Sequence, residues 1–379
     1  MSVSRQRILT TFGVMDRGGA ELRTLELLRA LDPERYELHF CVLSGRPGTL
    51  DDEIRALGGK IHYCALGRGF GRRFRKLLRD EGITVLHSNV HMFSGYLLRL
   101  ARMERVPGRV AHFRTSEDGQ RTSLRRMVQR GVMRHWVDRH STDILGVSES
   151  ALRLAWSVDW RRDPRCRVVY SGLPARGDAL EGWQARRAEF GIAPEVPLCI
   201  HVGRFNPVKN HRRVIQVFAA LRRRRPDAHL LLVGGGGGAA RESMLAAVAQ
   251  AGVEDAVTLA GERADVVELL AAADAMIFPS FFEGLPGAVL EACSVGLPVL
   301  ASDLPVVLEV AAHCTCVQAL SLDLSDERWA EKLAAMLRAP GHPDRRRAVD
   351  EFAAGVFQAD RFVRAHCEVW DHRVAASRR

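Results

Sequence analysis

Residues 274–302 constrain the fold of this chain more than any other stretch. They begin with a short apolar run, 275–278, whose length and composition are typical of a buried strand. A turn follows, and residues 288–295 have the composition of a helix. Gly296 stands where helices often end, and the apolar residues after it predict another strand. The stretch therefore predicts a strand, a loop, a helix and a strand, the unit from which parallel sheets are built.

Two carboxylates lie in this stretch where parallel sheets bind their ligands. Glu283 falls in the loop after the first strand, and Glu291 follows eight residues later, about two turns if all of them were helical. The helix after such a loop offers unpaired N–H groups to an anion. Carboxylates accept hydrogen bonds from paired hydroxyls, so the two acids suit a polyhydroxyl ligand. A helix-capping acid and a solvent-facing Glu would explain the spacing equally well.

The same alternation of strand and helix signals continues through the 379 residues. A chain of this length exceeds one ordinary core, so we expect two α/β domains, each a doubly wound parallel sheet with helices on its faces. The polar stretch 174–195 contains prolines and glycines and is the predicted linker. The expected domains are residues 1–175 and residues 196–359.

Composition narrows the class of protein. Hydrophobic residues make up 47% and charged residues 26%, as in soluble globular proteins. No apolar run reaches the length of a membrane span, and the first residues lack the apolar core of a signal peptide. The eight cysteines form no C-x-x-C pair, which favours a reduced, cytoplasmic protein.

Charge is distributed unevenly along the chain. Residues 1–190 carry 34 basic and 22 acidic residues, a net charge of +12, and the remainder has a net charge of −2. The first half is therefore expected to face an anionic partner. Residues 121–140 predict a basic amphipathic helix, which could lie on an anionic membrane surface or pack with its arginines in solvent.

Further candidate ligands follow two other predicted strands. Gly18 and Gly19 stand between a strand and a helix, where a backbone without side chains can approach a phosphate. Arg204 and Lys209 lie in a similar loop of the second half. Lysine is scarce here, with four residues against 51 arginines, so a lysine at this position is informative. Both cations could meet a diphosphate.

Five segments together carry a family resemblance. They are GGAE (18–21), VVYSG (168–172), VGRFNPVKN (202–210), GERADVVELLAAAD (261–274) and FPSFFEGLPGAVLEACSVGLPVLAS (278–302). In this order, and over nearly the whole chain, they resemble glycosyltransferase family 4, the retaining enzymes of the GT-B type that use nucleotide sugars. Each segment alone is a weaker signal than the set.

The resemblance implies two Rossmann-like domains that face each other across a cleft. Residues 360–379 would form a helix that crosses back to the first domain. Arg204 and Lys209 would hold the donor diphosphate, and Glu283 the sugar hydroxyls. The remaining implied donor contacts are Gly18 and Gly19 at the diphosphate, Leu285, Pro286 and Gly287 beside the sugar, Glu291 at the ribose, and Arg263 in the turn bordering the base. Fixed cations and helix N-termini would stabilise the leaving diphosphate, so no metal or other cofactor is expected.

One position departs from the family pattern. Members often carry a histidine near the donor sugar, and the matching position here holds Arg114. Arginine cannot act as a general base, so His112, two residues earlier on the same strand face, would be the one titrating group nearby. Arg114 could hold an anionic group, or it could pair with Glu117 or Asp118 in the same loop.

The expected function is transfer of a sugar, from a UDP-sugar, to a glycan or lipid-linked acceptor with retention of configuration. The resemblance implies bacterial cell-surface polysaccharide assembly, in the cytoplasm and at the inner face of the membrane. A non-hydrolysing UDP-sugar 2-epimerase on the same fold is the alternative. A basic membrane-binding or nucleic-acid-binding module is disfavoured, because the arginines lie on many separate helices with few aromatic residues between them, and no nucleic-acid partner is expected.

Overall fold

The computed structural model describes residues 5–115, 123–339 and 342–376. The chain divides into two compact units. Met1–Gly172 and Ala359–Arg379 form the first unit, and Leu173–Gln358 form the second. A seven-stranded and a six-stranded sheet account for the named strands of the described residues.

The first unit is built on a parallel sheet with strand order β3-β2-β1-β4-β5-β6-β7. Its strands are β1 Gln6–Phe12, β2 Tyr36–Val42, β3 Lys60–Tyr63, β4 Val85–Ser88, β5 Gly108–Phe113, β6 Asp143–Gly146 and β7 Cys166–Val168. The helices between them are α1 Gly19–Ala30, α2 Asp51–Ala56, α3 Phe70–Asp80, α4 Ser94–Met103, α5 Leu124–His140 and α6 Glu149–Ala155.

Helices cover both faces of this sheet. Successive strand residues point to opposite faces, and the buried neighbours Ile8 and Leu9 accordingly belong to two different apolar clusters. One cluster includes Phe74 of α3, and the other includes Leu25 of α1. The doubly wound parallel sheet predicted from the alternating pattern is therefore confirmed for this unit.

The second unit has a parallel sheet with strand order β10-β9-β8-β11-β12-β13. Its strands are β8 Leu198–Val202, β9 His229–Val233, β10 Val257–Gly261, β11 Ala275–Phe278, β12 Val299–Ser302 and β13 Val317–Leu320. Its helices are α7 Trp183–Ala188, α8 His211–Arg222, α9 Gly238–Ala251, α10 Val266–Ala272, α11 Gly287–Ser294, α12 Pro305–Ala311, α13 Asp326–Met336 and α14 Pro343–Ala354. The sequence prediction of a second parallel sheet is confirmed.

The predicted linker, residues 174–195, is wrong as an independent connection. It contains α7, and it belongs to the second unit. Arg187 in this helix is 1% exposed, and its guanidinium donates to an Asp274 carboxylate oxygen at 2.7 Å. It also donates to the carbonyl oxygens of Ala272, Pro194 and Val196. A buried charge needs such partners, so Arg187 joins this stretch to the rest of the second unit.

The chain ends on α15 Ala359–Ala376, which packs within the first unit. Arg373 donates from Nε to buried Asp143 at 2.7 Å, and Trp370 is 1% exposed. Tyr36 donates its hydroxyl to Asp371 at 2.9 Å. None of the helices in the described ranges is long and apolar enough to cross a membrane. All eight cysteines are free thiols.

Candidate functional site

The predicted donor residues of the second unit lie in loops at one edge of its sheet. In a parallel sheet all strands end at the same edge. The loop after β8 carries Arg204 and Lys209, and the loop after β11 carries Glu283. Strands β8 and β11 are hydrogen-bonded neighbours, so the sheet brings these two loops together although they are 74 residues apart in sequence.

Lys209 and Glu283 form an ion pair at this edge. The Lys209 ammonium lies 2.7 Å from a Glu283 carboxylate oxygen, and the two side chains are 20% and 11% exposed. The ammonium also lies 4.8 Å from the centre of the Phe278 ring, where a cation is attracted to the aromatic face. Asn206 accepts from the Lys209 N–H at 3.2 Å and begins the single turn that presents the lysine.

The two loops are joined by their backbones. Phe281 donates its N–H to the Val208 carbonyl at 2.9 Å. The Asn210 side-chain amide donates to the Pro279 carbonyl at 3.0 Å. Asn210 has a φ of 53°, a left-handed conformation that Asn adopts more readily than most residues. The positions of Lys209 and Glu283 are therefore held by more than their own contact.

Two buried histidines lie close to Lys209. Burial, together with the nearby Lys209 charge, lowers the pKa of His201 to about 3 and the pKa of His211 to about 4. Both rings are neutral at pH 7. Arg204, by contrast, has an exposed side chain with no hydrogen bond or ion pair among the described residues. It can therefore turn toward an anion without breaking a contact.

The glycine run after β9 lies against the loop that carries Arg204. A side chain at Gly234 would place its Cβ 2.1 Å from the Gly203 carbonyl oxygen, and the residue has a φ of +143°. Only glycine permits both. Gly234 is therefore needed for the close packing of the loops that follow β8 and β9.

Glu283 and Glu291 do not lie on one continuous helix. Helix α11 begins only at Gly287, so Glu283, Leu285 and Pro286 belong to the loop and Glu291 lies one turn into the helix. A spacing of two turns would need a helix along all eight residues, a condition that is not met, whereas the helix predicted over residues 288–295 is confirmed. Glu291 is half-buried, and Pro286 is buried at the helix start.

Arg263, predicted beside the base, already has carboxylate partners. Its guanidinium donates to Asp265 at 2.8 Å and to Glu189 at 2.6 Å, and these contacts raise its pKa. Glu189 follows α7, in the stretch predicted as a linker. If Arg263 borders the base, it would do so while bound to these carboxylates or after releasing one of them.

In the first unit, Gly18 and Gly19 begin α1. Gly18 is the capping residue, and Gly19 is the first helical residue and is exposed. A Cβ at Gly18 would lie 2.3 Å from a Glu21 carboxylate oxygen, so this position admits only glycine without a shift of Glu21. Both glycines therefore lie at the N-terminus of α1, beside the Glu21 carboxylate.

Arg114 lies at the end of β5. Its Nε donates to the Asn89 side-chain oxygen at 3.0 Å, and its Nη1 is buried without a partner among the described residues. Burial lowers the pKa of Arg114 to about 10, and the Glu21 carboxylate opposes this. The alternative partners Glu117 and Asp118 lie outside the described residues.

His112 is not the one titrating group beside Arg114. His87 Nε2 and His112 Nδ1 are 2.9 Å apart, and the rings of both lie within 6 Å of the His366 ring. No local sequence pattern indicates this cluster, because β4, β5 and α15 come together only in the fold. The prediction of a single titrating histidine is wrong for this reason.

The protonation pattern of the cluster follows from its hydrogen bonds. Trp370 donates to His87 Nδ1 at 3.2 Å, so the His87 proton is on Nε2 and is donated to His112 Nδ1. His366 donates from Nδ1 to the Phe362 carbonyl at 2.8 Å. Burial holds the pKa of His87 and His112 well below the usual range and lowers the pKa of His366 to about 3. All three rings are neutral at pH 7, so none is a strong base.

Comparison with known proteins adds two family matches. Residues 184–354 match the model described as Glycosyl transferases group 1, and residues 17–176 match the model described as Glycosyltransferase Family 4. Together these ranges contain every residue predicted for the donor and for the Arg114 position.

Individual relatives agree with these matches. The chain is 28% identical over 339 residues to the capsular polysaccharide biosynthesis glycosyltransferase CapH of Staphylococcus aureus, covering 89% of this chain and 92% of CapH. It is 25% identical to the N-acetyl-alpha-D-glucosaminyl L-malate synthase of Bacillus anthracis, covering 78% of each. The crystal structure of Anabaena HepE in complex with UDP aligns with a TM-score of 0.78 at 15% identity, over 97% of this chain and 100% of HepE. This likeness shows the GT-B fold.

Proposed function

The chain belongs to glycosyltransferase family 4, and from this premise we propose that it transfers a sugar from a UDP-sugar to a lipid-linked glycan acceptor. The ion pair between Lys209 and Glu283 is the observation that carries this proposal. Lys209 can bind a diphosphate, and Glu283 can accept hydrogen bonds from sugar hydroxyls. A donor that carries both groups fits the pair better than a ligand with only one of them.

Charge explains how these residues would act. Breaking a sugar–phosphate bond places negative charge on the leaving diphosphate. Lys209, Arg204 and the N-terminus of α11 would stabilise this charge as it develops, without rearrangement. Glu283 would exchange its bond to Lys209 for bonds to sugar hydroxyls. Transfer proceeds with retention, and no metal ion is required in this scheme.

Other predicted contacts complete the donor site in this proposal. Glu291 would bind the ribose hydroxyls, and the backbone of Leu285, Pro286 and Gly287 would border the sugar. Gly18 and Gly19 would approach the diphosphate at the N-terminus of α1. Arg263 would border the base through the turn that it stabilises.

The nature of the donor and the setting rest on relatives. HepE was crystallised with UDP, which supports a uridine nucleotide here. CapH is named for capsular polysaccharide biosynthesis, which supports a cell-surface polysaccharide. The first unit carries 36 basic and 22 acidic residues, a net charge of +14. A cytoplasmic enzyme at the anionic inner face of the membrane is consistent with this charge.

A transfer assay tests the proposal. The purified chain is incubated with a panel of UDP-sugars and with lipid-linked acceptors, and free UDP and glycosylated lipid are measured together. Both products should appear in equal amounts with one donor. An isomerised UDP-sugar without acceptor consumption would identify an epimerase and contradict the proposal.

A further inference from the structure

Two histidines and a glutamate lie close together at the edge of the first sheet, apart from the residues predicted for the donor. His39 is in β2, His62 is in the edge strand β3, and Glu81 directly follows α3. His39 Nδ1 and His62 Nε2 are 3.1 Å apart, and a Glu81 carboxylate oxygen lies 3.8 Å from His39 Nδ1. One ligand atom from each residue lies within 4.8 Å of the other two. Imidazole and carboxylate groups are ordinary ligands of Zn²⁺.

These separations are near those around one tetrahedral ion. With ligand bonds of about 2.0–2.2 Å, two ligands of the same Zn²⁺ are about 3.3–3.5 Å apart. The two ring nitrogens are slightly closer than this, and the Glu81 oxygen is slightly farther away. The His62 ring is half-buried and the Glu81 side chain is 30% exposed, so both can turn toward an ion. A water molecule would complete the four positions.

His39 has the surroundings of a metal-binding histidine. Its side chain is fully buried, and its Nε2, which has no hydrogen-bond partner in the described ranges, lies 3.7 Å from a Glu37 carboxylate oxygen. A ligating histidine keeps a proton on its other ring nitrogen and directs it to such a group. Burial, together with the His62 ring, lowers the pKa of His39 to about 4, and burial also lowers the pKa of His62. Both rings are therefore neutral at pH 7, the form that binds a metal.

A cationic side chain already lies beside the cluster. The Lys60 ammonium is 2.9 Å from a Glu37 oxygen and 3.6 Å from a Glu81 oxygen, and the lysine side chain is 49% exposed. Its charge balances the two carboxylates that would also attract a divalent ion. Arg7 lies 3.4 Å from Glu37 as well, so Glu37 keeps a partner when Lys60 moves away. A bound ion would therefore compete with Lys60 for Glu81.

The cluster lies where the strands of the sheet begin. Arg7, the second residue of β1, donates to the Glu81 carbonyl at 3.2 Å, and Glu37 is the second residue of β2. Gly18 and Arg114, by contrast, follow the ends of their strands. An ion at this edge would join β2, β3 and the end of α3, and it would take no part in transfer.

The second histidine cluster of this unit suits a metal less well. His87, His112 and His366 are also close enough to share an ion. A cation there would face the buried Arg114, whose charge adds to burial in lowering the pKa of all three rings. None of the residues that form this described cluster is a carboxylate. The cluster with Glu81 is therefore the better candidate.

We propose that His39, His62 and Glu81 bind one divalent transition-metal ion and that Glu37 orients the His39 ring. Imidazole nitrogen favours Zn²⁺, Ni²⁺ and Cu²⁺, whereas Mg²⁺ prefers oxygen ligands. Each ring stays neutral in the complex, with its proton on Nε2 of His39 and on Nδ1 of His62. The site is independent of the proposed transfer reaction.

The test is calorimetric titration of the full chain with zinc chloride after removal of metals with EDTA. Zn²⁺ should bind with a stoichiometry of one, and excess Mg²⁺ should not displace it. His62→Gln and Glu81→Gln should each weaken Zn²⁺ binding by about tenfold or more, because each removes a ligand. Lys60→Gln should strengthen binding severalfold, because it removes the competing charge, and a gain of affinity cannot arise from misfolding. Lys332→Gln, which removes the same charge from the second unit, is the matched control and should bind normally.

Co²⁺ and a fourth variant separate this site from the alternatives. Bound Co²⁺ should give the visible absorption of a four-coordinate ion, whereas a thiolate band in the near ultraviolet would place the metal on cysteines and overturn the proposal. His366→Gln should bind Zn²⁺ normally. Loss of binding in His366→Gln but not in His62→Gln would assign the metal to the other cluster. No Zn²⁺ binding by the native chain, or unchanged affinity in His62→Gln and Glu81→Gln, would also refute the site.

Discussion

The ammonium of Lys209 and the carboxylate of Glu283 lie 2.7 Å apart, although one follows β8 and the other follows β11. Without a donor, the opposite charges of the two side chains neutralise each other. A donor that brings a diphosphate to the lysine and hydroxyls to the glutamate would replace one contact by two. The pair can therefore hold the site in shape before the donor arrives and stabilise charge after it has bound.

Lys209→Ala and Glu283→Gln should each lower kcat by about two to three orders of magnitude, because each removes a group that stabilises the transition state. The melting temperature should change by only a few degrees, since backbone contacts also join the two loops. Lys332→Ala, another lysine of the second unit, is the control for both measurements. Near-normal turnover in either site variant would show that the pair is structural.

Arg114 and His112 can be separated by kinetics. If Arg114 binds an acceptor anion, Arg114→Ala should raise the KM for the acceptor by tenfold or more while the donor KM stays unchanged. Arg114→Lys should recover part of the loss, because it keeps the charge but not the fork. His112→Ala should alter kcat little, since the ring is buried and neutral. If the acceptor KM is unchanged in Arg114→Ala, then Arg114 does not bind the acceptor, and its role is limited to its hydrogen bond with Asn89.

The histidine cluster predicts a loss of stability in acid. The folded-state pKa of His366, about 3, lies below the unfolded value near 6.5. Between these values the unfolded chain binds a proton that the folded chain does not, so stability present above pH 6.5 is lost as the pH falls toward 3. His366 alone should contribute about 1.4 kcal/mol per pH unit in this window.

The measurement is urea unfolding at pH 7 and pH 5. His366→Gln should lose about 2 kcal/mol less than the native chain between these two pH values. The same variant should leave in place the pH dependence that comes from histidines outside the cluster, such as His201 in the second unit. Identical losses in both proteins would mean that His366 is protonated in the folded state.

Metal removal gives a separate check on the donor site. Transfer should survive dialysis against EDTA, because lysine and arginine charges, together with a helix N-terminus, already face the leaving group in the proposed site. Loss of transfer that is restored by Mn²⁺ or Mg²⁺ would mean that a cation stabilises the diphosphate instead. The control is the melting temperature with and without EDTA, which separates a catalytic effect from unfolding.

The sequence predicted the sheets and the donor loops because their signals are local. Apolar strand runs, a glycine after α11 and a lone lysine among arginines are each visible within a few residues. The pairing of Lys209 with Glu283 depends on β8 and β11 being neighbours, which no local pattern reveals. Similarly, the buried Arg187 made α7 resemble a linker, since its partner Asp274 is 87 residues away.

In the first unit, even more of the candidate site depends on contacts that no local sequence pattern reveals. His112 and Arg114 were visible as a departure from the family pattern, but Asn89, His87 and His366 were not. They come from β4, its following loop and the terminal helix, and only the packed unit brings them to one place. Histidine patterns give no period or turn signal from which such a cluster could be inferred.

The most direct test of the central claim is thermal denaturation of the native chain and of Lys209→Ala with a panel of UDP-sugars. A donor that binds the folded chain at 100 times its Kd should add about 2.7 kcal/mol of stability and raise the melting temperature by several degrees. We predict this rise for at least one UDP-sugar in the native chain and little or none in Lys209→Ala. An equal rise in both proteins, or no rise with any nucleotide sugar, would contradict the assignment of the donor site.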